Sequence, residues 1–207
     1  DSLLGQGLVH GATWRQGFDE CAPRGIAVKA IWLGVFFLVL AWSAIKPRDY
    51  PTWALEVAPA VVGLAIMAFT YNRFRFTPLL YWLILLHAVI LMVGGHYTYA
   101  LVPWFDWLWE LIGSERNNYD KIGHLAQGFI PAIAAREILL RFDVVKGKGW
   151  LAFLVVCFCL ALSAFYELLE WWVALLSEEA AEAFLGTQGY VWDTQSDMWY
   201  ALLGAVL

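Results

Sequence analysis

Apolar residues along this chain fall into long, nearly unbroken runs, unlike the alternation of a half-buried strand. Runs near the ~20 residues that cross a hydrocarbon core lie at about 26 to 45, 52 to 71, 77 to 102, 121 to 141, 149 to 176 and from 193 onward. They predict six helices. The last is short: at about 1.5 Å per residue, Asp193 to Leu207 gives roughly 22 Å against a ~30 Å core, so it is expected either to tilt little and end early or to outrun the sequence. Between the runs stand turn and helix-start signals: Lys46-Pro47-Arg48-Asp49-Tyr50-Pro51, Thr77-Pro78, Gly113-Ser114 and Gly147-Lys148-Gly149. Pro103 to Ile112 mixes Trp with Asp and Glu, as in a short helix lying in the interface plane. No internal repeat is evident. The expected fold is therefore all-α: a polytopic membrane helix bundle of about six transmembrane helices, with an interfacial helix between the third and fourth. Residues 26–207 form the transmembrane domain and residues 1–25 an N-terminal cytoplasmic arm.

Composition agrees with that pattern. Of 207 residues, 61% are hydrophobic and 15% charged, where soluble domains carry about half and a quarter. The 13 Trp and 9 Tyr suit a headgroup boundary. A net charge of −5 without a basic stripe argues against nucleic acid as a partner. Cys21, Cys157 and Cys159 have no metal-type spacing and read as packing residues or free thiols. Roughly the first twenty residues lack the apolar core of a signal peptide, so the first apolar helix is expected to target the chain.

Basic residues set the orientation. Arg15, Arg24 and Lys29 in the arm, Arg73 and Arg75 in the second loop, and Arg141, Lys146 and Lys148 in the fourth place these segments in the cytoplasm, N-terminus included. Lys46 and Arg48 in the first loop run against the pattern.

Following each helix in that direction brings its polar residues to one depth. Asp120, His124 and Gln127 lie in the outer turns of the fourth span and, by their i, i+4, i+7 spacing, share a face. Glu167 and Glu170 stand near the outer end of the fifth, Asp193 and Asp197 at the outer start of the sixth, His96 and Tyr97 at the end of the third, and Glu56 at the start of the second. An Asp at a helix centre costs about 2.5–3.5 kcal/mol on insertion scales, so these groups are expected to face a shared pocket and not lipid.

A set rich in carboxylates, with imidazoles and no thiol, suits a divalent cation such as Mg²⁺, Mn²⁺, Zn²⁺ or Fe²⁺. The expected metal ligands come from His96, Asp120, His124, Glu167, Glu170, Asp193 and Asp197. Of these, His124, Glu167, Glu170 and Asp197 are the expected catalytic residues, with Arg116, Lys121 and Gln127 for substrate. Structural roles compete at several positions. Either His96 or His124 can simply cross-link helices, Asp193 can serve the helix dipole, and Arg116 and Lys121 can sit at an interface as Lys and Arg commonly do. His87, in mid-span, reads as a satisfied polar core residue outside the site, and Arg136 and Glu137 as structural or as an inner ion pair.

The segments "YDKIGHLAQGFIPAIAAREILLR", "SAFYELLEWW", "FLGTQGYVWDTQSDMWYALLGA" and "LILLHAVILMVGGHYTYA" closely resemble the YjdF-like family of bacterial inner-membrane proteins over roughly residues 50 to 207. The Asp120-Lys121-x-x-His124 helix start, the Glu-bearing fifth span and the Asp-led sixth are also similar, at the level of fold, to VanZ-like membrane proteins. These resemblances imply a multi-pass protein of the bacterial inner membrane and single out the same motifs. They imply no reaction.

Two functions are thereby expected of an integral inner-membrane protein with an extracytoplasmic acidic and His pocket. One is a metal-dependent hydrolase or transferase acting on a lipid or lipid-linked headgroup. The other is a non-catalytic accessory subunit that packs, with membrane lipids around it, against other membrane-protein subunits. A transporter is disfavoured, because few polar groups lie toward the cytoplasmic half and no repeat is visible.

Overall fold

The computed structural model describes residues 25–99, 101–103, 117–176 and 191–207. Six helices make up the described fold: α1 Ile26–Ser43, α2 Tyr50–Thr70, α3 Pro78–Tyr97, α4 Tyr119–Arg141, α5 Lys148–Ala174 and α6 Asp193–Val206. No strand occurs among the described residues. Four of the helices, α1, α2, α3 and α5, are long and apolar enough to cross a membrane. The other two are the polar α4 and the 14-residue α6. The N-terminal arm and nearly all of the expected interfacial helix lie outside the described residues.

Helix boundaries follow local chemistry. Asp49 caps α2, accepting a 2.8 Å hydrogen bond from the Thr52 N–H, with Pro51 in the first turn. Thr77 caps α3 ahead of Pro78 in the same way. α3 ends sooner than its apolar run predicts. Thr98 and Tyr99 take positive φ values of 59° and 47°, and the Tyr99 N–H turns back to the Gly94 carbonyl, closing the helix in a left-handed cap.

The packing inverts that of a soluble protein. Only 17% of α1 and 22% of an 18-residue apolar stretch of α5 is buried within the bundle, and the outward residues, Phe37, Leu38, Phe153, Phe158 and Phe165 among them, are apolar. Three apolar centres hold the helices together among the described residues. One joins α1, α2 and α3 through Trp32, Phe36, Val57, Met67, Leu85 and Met92; another joins α4 and α5 through Ala132, Ala135, Val155 and Cys159; a third sets Tyr99, Val102 and Tyr119 against the end of α3. Free Cys159 is buried there as a small packing residue and Cys157 is exposed.

The most extensive helix contact is between α4 and α6. It depends on missing side chains: a Cβ on Gly128 would fall on the Ala201 carbonyl, and one on Gly204 on the Leu125 carbonyl and the Phe129 amide. Small residues at a crossing let helix backbones touch where lipid supplies no hydrophobic drive. At the opposite end from Asp120, buried Glu137 of α4 accepts from the Thr77 hydroxyl (2.5 Å) and Thr77 N–H (3.2 Å), fastening the start of α3. Glu137 is thus structural, and it serves the cap of a neighbouring helix.

Gly128→Val should destabilise the bundle by about 1–3 kcal/mol or more, as an overpacked contact does. Gly34→Ala and Gly63→Ala meet open space and should be neutral or slightly stabilising. Thermal melts in a mild detergent check the contrast, and equal losses at all three positions would contradict the crossing described.

Candidate functional site

Adjacent helices run in alternating directions, so the ends of α1, α3 and α5 meet the starts of α2, α4 and α6. Short contacts lock this end together. His96 Nδ1 lies 3.0 Å from the Ser43 carbonyl, and the Ser43 hydroxyl accepts from the Trp53 indole at 3.1 Å, tying α1, α2 and α3. The Tyr119 hydroxyl donates to the Ile90 carbonyl at 3.2 Å, setting the start of α4 against α3. Tyr99 packs its ring on Gly94 and Gly123, the two bare positions that admit it.

Within this frame two neighbouring constellations form. The first joins α4, α5 and α6. His124, Glu167 and Asp197, all buried, each offer one ligand atom, and these atoms lie within 4.8 Å of one another. His124 Nε2 stands 3.7 Å from Asp197 Oδ2. Asp120, Asp193 and Asp197 make a second such group, with Asp197 common to both. Donors around one small cation at about 2.1 Å lie roughly 3–4.2 Å apart, so only small side-chain movements separate either group from a coordination sphere. Thr194 hydrogen-bonds the Glu167 carboxyl, and Glu167 Oε1 is buried with no hydrogen-bond partner among the described residues.

The second constellation is a cavity of about 110 Å³ between the α2–α3 and α4–α5 pairs. Glu56, His87, Tyr99, Asp120, His124, Gln127, Tyr166 and Glu170 give it polar walls, and Pro59, Leu91, Pro131 and Leu162 close it with apolar ones. Glu56 accepts from the Tyr166 hydroxyl at 2.8 Å and also from Tyr99. Burial, reinforced by the nearby Glu56 charge, pushes the Tyr99 phenol well above its ordinary range and keeps it a proton donor. Glu170 sits within Coulombic reach of Glu56, Glu167, Asp193 and Asp197.

Of the residues expected from sequence, Asp120, His124, Glu167, Asp193 and Asp197 come together as possible cation ligands, while Glu170 and Gln127 line the adjoining cavity. His96 stands with Ser43 and Trp42 instead, its ring centroid 4.7 Å from that of Trp42. Lys121 does not line the cavity; its ammonium meets the Asn118 side chain and lies 5.8 Å from the Tyr200 ring centroid. Arg116 is outside the described residues. Three wall residues were not expected. His87 reaches the cavity from mid-span, where position alone argued for a core role. Tyr166 stands one turn before Glu170 on the same face, a spacing that could have revealed it, whereas Tyr99 enters only because the chain folds back at the end of α3.

Residues 28–207 match the family described as "Predicted membrane protein (DUF2238)". The chain is also 53% identical over 169 residues to the inner membrane protein YjdF of Escherichia coli (strain K12), covering 82% of this chain and 81% of that one. No solved structure matches.

The Tyr166–Glu56 contact should behave as a coupled pair. Tyr166→Phe deprives buried Glu56 of a donor at a cost of about 1–3 kcal/mol. In a Glu56→Gln background the same change should cost measurably less. A double-mutant cycle on melting in detergent reads the difference, and strict additivity would contradict the bond.

Proposed function

The chain belongs to the DUF2238 family of membrane proteins, and from that premise we propose an integral protein of the bacterial inner membrane whose acidic and His end holds a divalent cation and acts on a lipid or lipid-linked headgroup. The observation that carries this is the meeting of His124, Glu167 and Asp197, drawn from three helices, with one donor atom each inside 4.8 Å. Buried carboxylates are costly in a low-dielectric surround unless a counter-charge or proton compensates them, and a cation is the most direct compensation. The spare Glu167 Oε1 supports the same conclusion, since buried acceptors seldom go unused.

In the proposed arrangement α4 and α6 also span the membrane, making six crossings. Lys and Arg keep the N-terminus and the loop after α4 in the cytoplasm, so the site opens to the extracytoplasmic leaflet. There His124, Glu167 and Asp197 would hold the ion, with Asp120 and Asp193 beside them. A bound divalent ion would polarise a phosphoryl or carbonyl oxygen or lower the pKa of a bound water. Glu170, which lines the cavity, would exchange a proton with its occupant. Lys121, on the same side, is suited to a lipid phosphate.

Elemental analysis of the full chain, purified without chelator, should find about one divalent ion per molecule. Glu167→Gln and Asp197→Asn should each lose most of it while keeping their helical content. Metal-free native protein, or variants that retain the ion, would refute the proposed centre.

A further inference from the structure

Six carboxyls reach this end of the bundle: Glu56, Asp120, Glu167, Glu170, Asp193 and Asp197. One divalent ion balances two of them. Among the described residues no Lys or Arg lines the cavity. Its walls therefore favour a positively charged guest and oppose a free anion, and Asp120 and His124 are common to this cavity and to the proposed ion centre beside it.

The walls present both carboxyl oxygens and unmet ring nitrogens. Glu56, which already accepts from the Tyr166 and Tyr99 hydroxyls, and Glu170 bring carboxyl groups, each with further acceptor capacity, to the lining. His124, only 9% exposed, has its Nε2 toward Asp197 and the Gln127 side chain in hydrogen-bonding reach of its imidazole, while its Nδ1 is buried with no hydrogen-bond partner of its own among the described residues. His87 Nε2 is likewise buried without one. With an ion on the Asp197 side of the imidazole, Nδ1 carries the hydrogen and donates. The cavity thus asks for a guest with a cationic donor at one end and an oxygen acceptor at the other. At ~10–15 Å³ for each water-sized group, about 110 Å³ holds a short chain of several heavy atoms.

We infer that the cavity takes the primary ammonium end of a small amino alcohol, an inference that rests on the ion-centre reading above for the polarity of His124. The ammonium N–H groups meet Glu56 and Glu170 in charge-assisted hydrogen bonds, and the tyrosine rings add their quadrupoles. The alcohol or ester oxygen faces the His124 Nδ1–H, on the side of the ion. Carried on a lipid, this guest is an aminoethyl phosphate headgroup; free in solution, it is ethanolamine. Both share the chemistry that the walls recognise.

Calorimetric titration of the full chain in detergent tests the inference. Ethanolamine should bind saturably, and both Glu56→Gln and Glu170→Gln should weaken it roughly tenfold or more. Choline, which has no ammonium N–H, and uncharged glycerol should bind at least about tenfold more weakly than ethanolamine. Absence of saturable binding by wild-type protein, equal binding by folded variants, or choline equal to ethanolamine would overturn it. Reconstitution in nanodiscs assigns the source: competition by phosphatidylethanolamine but not phosphatidylglycerol marks a lipid-borne amine, and undiminished ethanolamine binding in both marks a soluble one. Metal content on the same samples separates the two proposals. Retained metal without ethanolamine binding defeats the amine alone, and ethanolamine binding by metal-free native protein defeats the ion centre alone.

Discussion

The rest of the structure depends on the cost of placing ionisable groups in hydrocarbon. At about 2.5–3.5 kcal/mol for one carboxylate at a helix centre, the polar faces of the apolar helices α2 and α5 have to turn inward, where the polar residues of α4 and α6 meet them. The outward surface of α1 and α5 is accordingly left to Phe, Leu, Trp and Val. Apolar contact organises each half of the bundle, and Glu56, Asp120, Glu167 and Asp197 are all buried within it.

Small and ring-closed residues make that meeting possible. Gly128 and Gly204 bring α4 and α6 to backbone contact, which carries Asp197 up to His124. Gly94 and Gly123 leave the hollow into which the Tyr99 ring folds. Pro59 and Pro131, inside α2 and α4, both stand at the cavity wall. A proline within a helix releases a backbone carbonyl from its usual partner, and in membrane proteins such interruptions are tolerated where neighbouring groups or a water-filled cavity can satisfy it. Their position beside His87 and Gln127 fits that rule.

The two ends of the bundle do different work. At one, Glu137 is consumed by the Thr77 cap, and Arg141 meets the Arg75 carbonyl while its guanidinium lies 4.0 Å from the Phe74 ring centroid. These polar groups are matched to backbone and to aromatic faces. Toward the other, His124 Nδ1 and Glu167 Oε1, and His87 Nε2 in mid-span, are buried without hydrogen-bond partners among the described residues, so it is there that chemistry or binding is to be sought.

By itself the sequence determined the helical class, the approximate limits of each helix, and the common level of Asp120, His124, Glu167 and Asp197, because run length and helical period are local properties. The i, i+4 spacing even put Asp120 and His124 on a single face. Tertiary structure alone decided which groups share a space. His96 has the residue type and depth of a ligand, yet it is spent on the Ser43 carbonyl, whereas mid-span His87 joins the cavity wall. Tyr99 reaches Glu56 through a left-handed turn that an apolar run does not announce, and Glu167 and Glu170, three residues apart on one helix, part toward His124 and Asp197 and toward the cavity respectively. The reason is geometric: depth along a helix follows from counting residues, but the direction a side chain faces in the bundle is fixed by helix rotation, and that is set by contacts such as Gly128 on Ala201 between residues far apart in the chain.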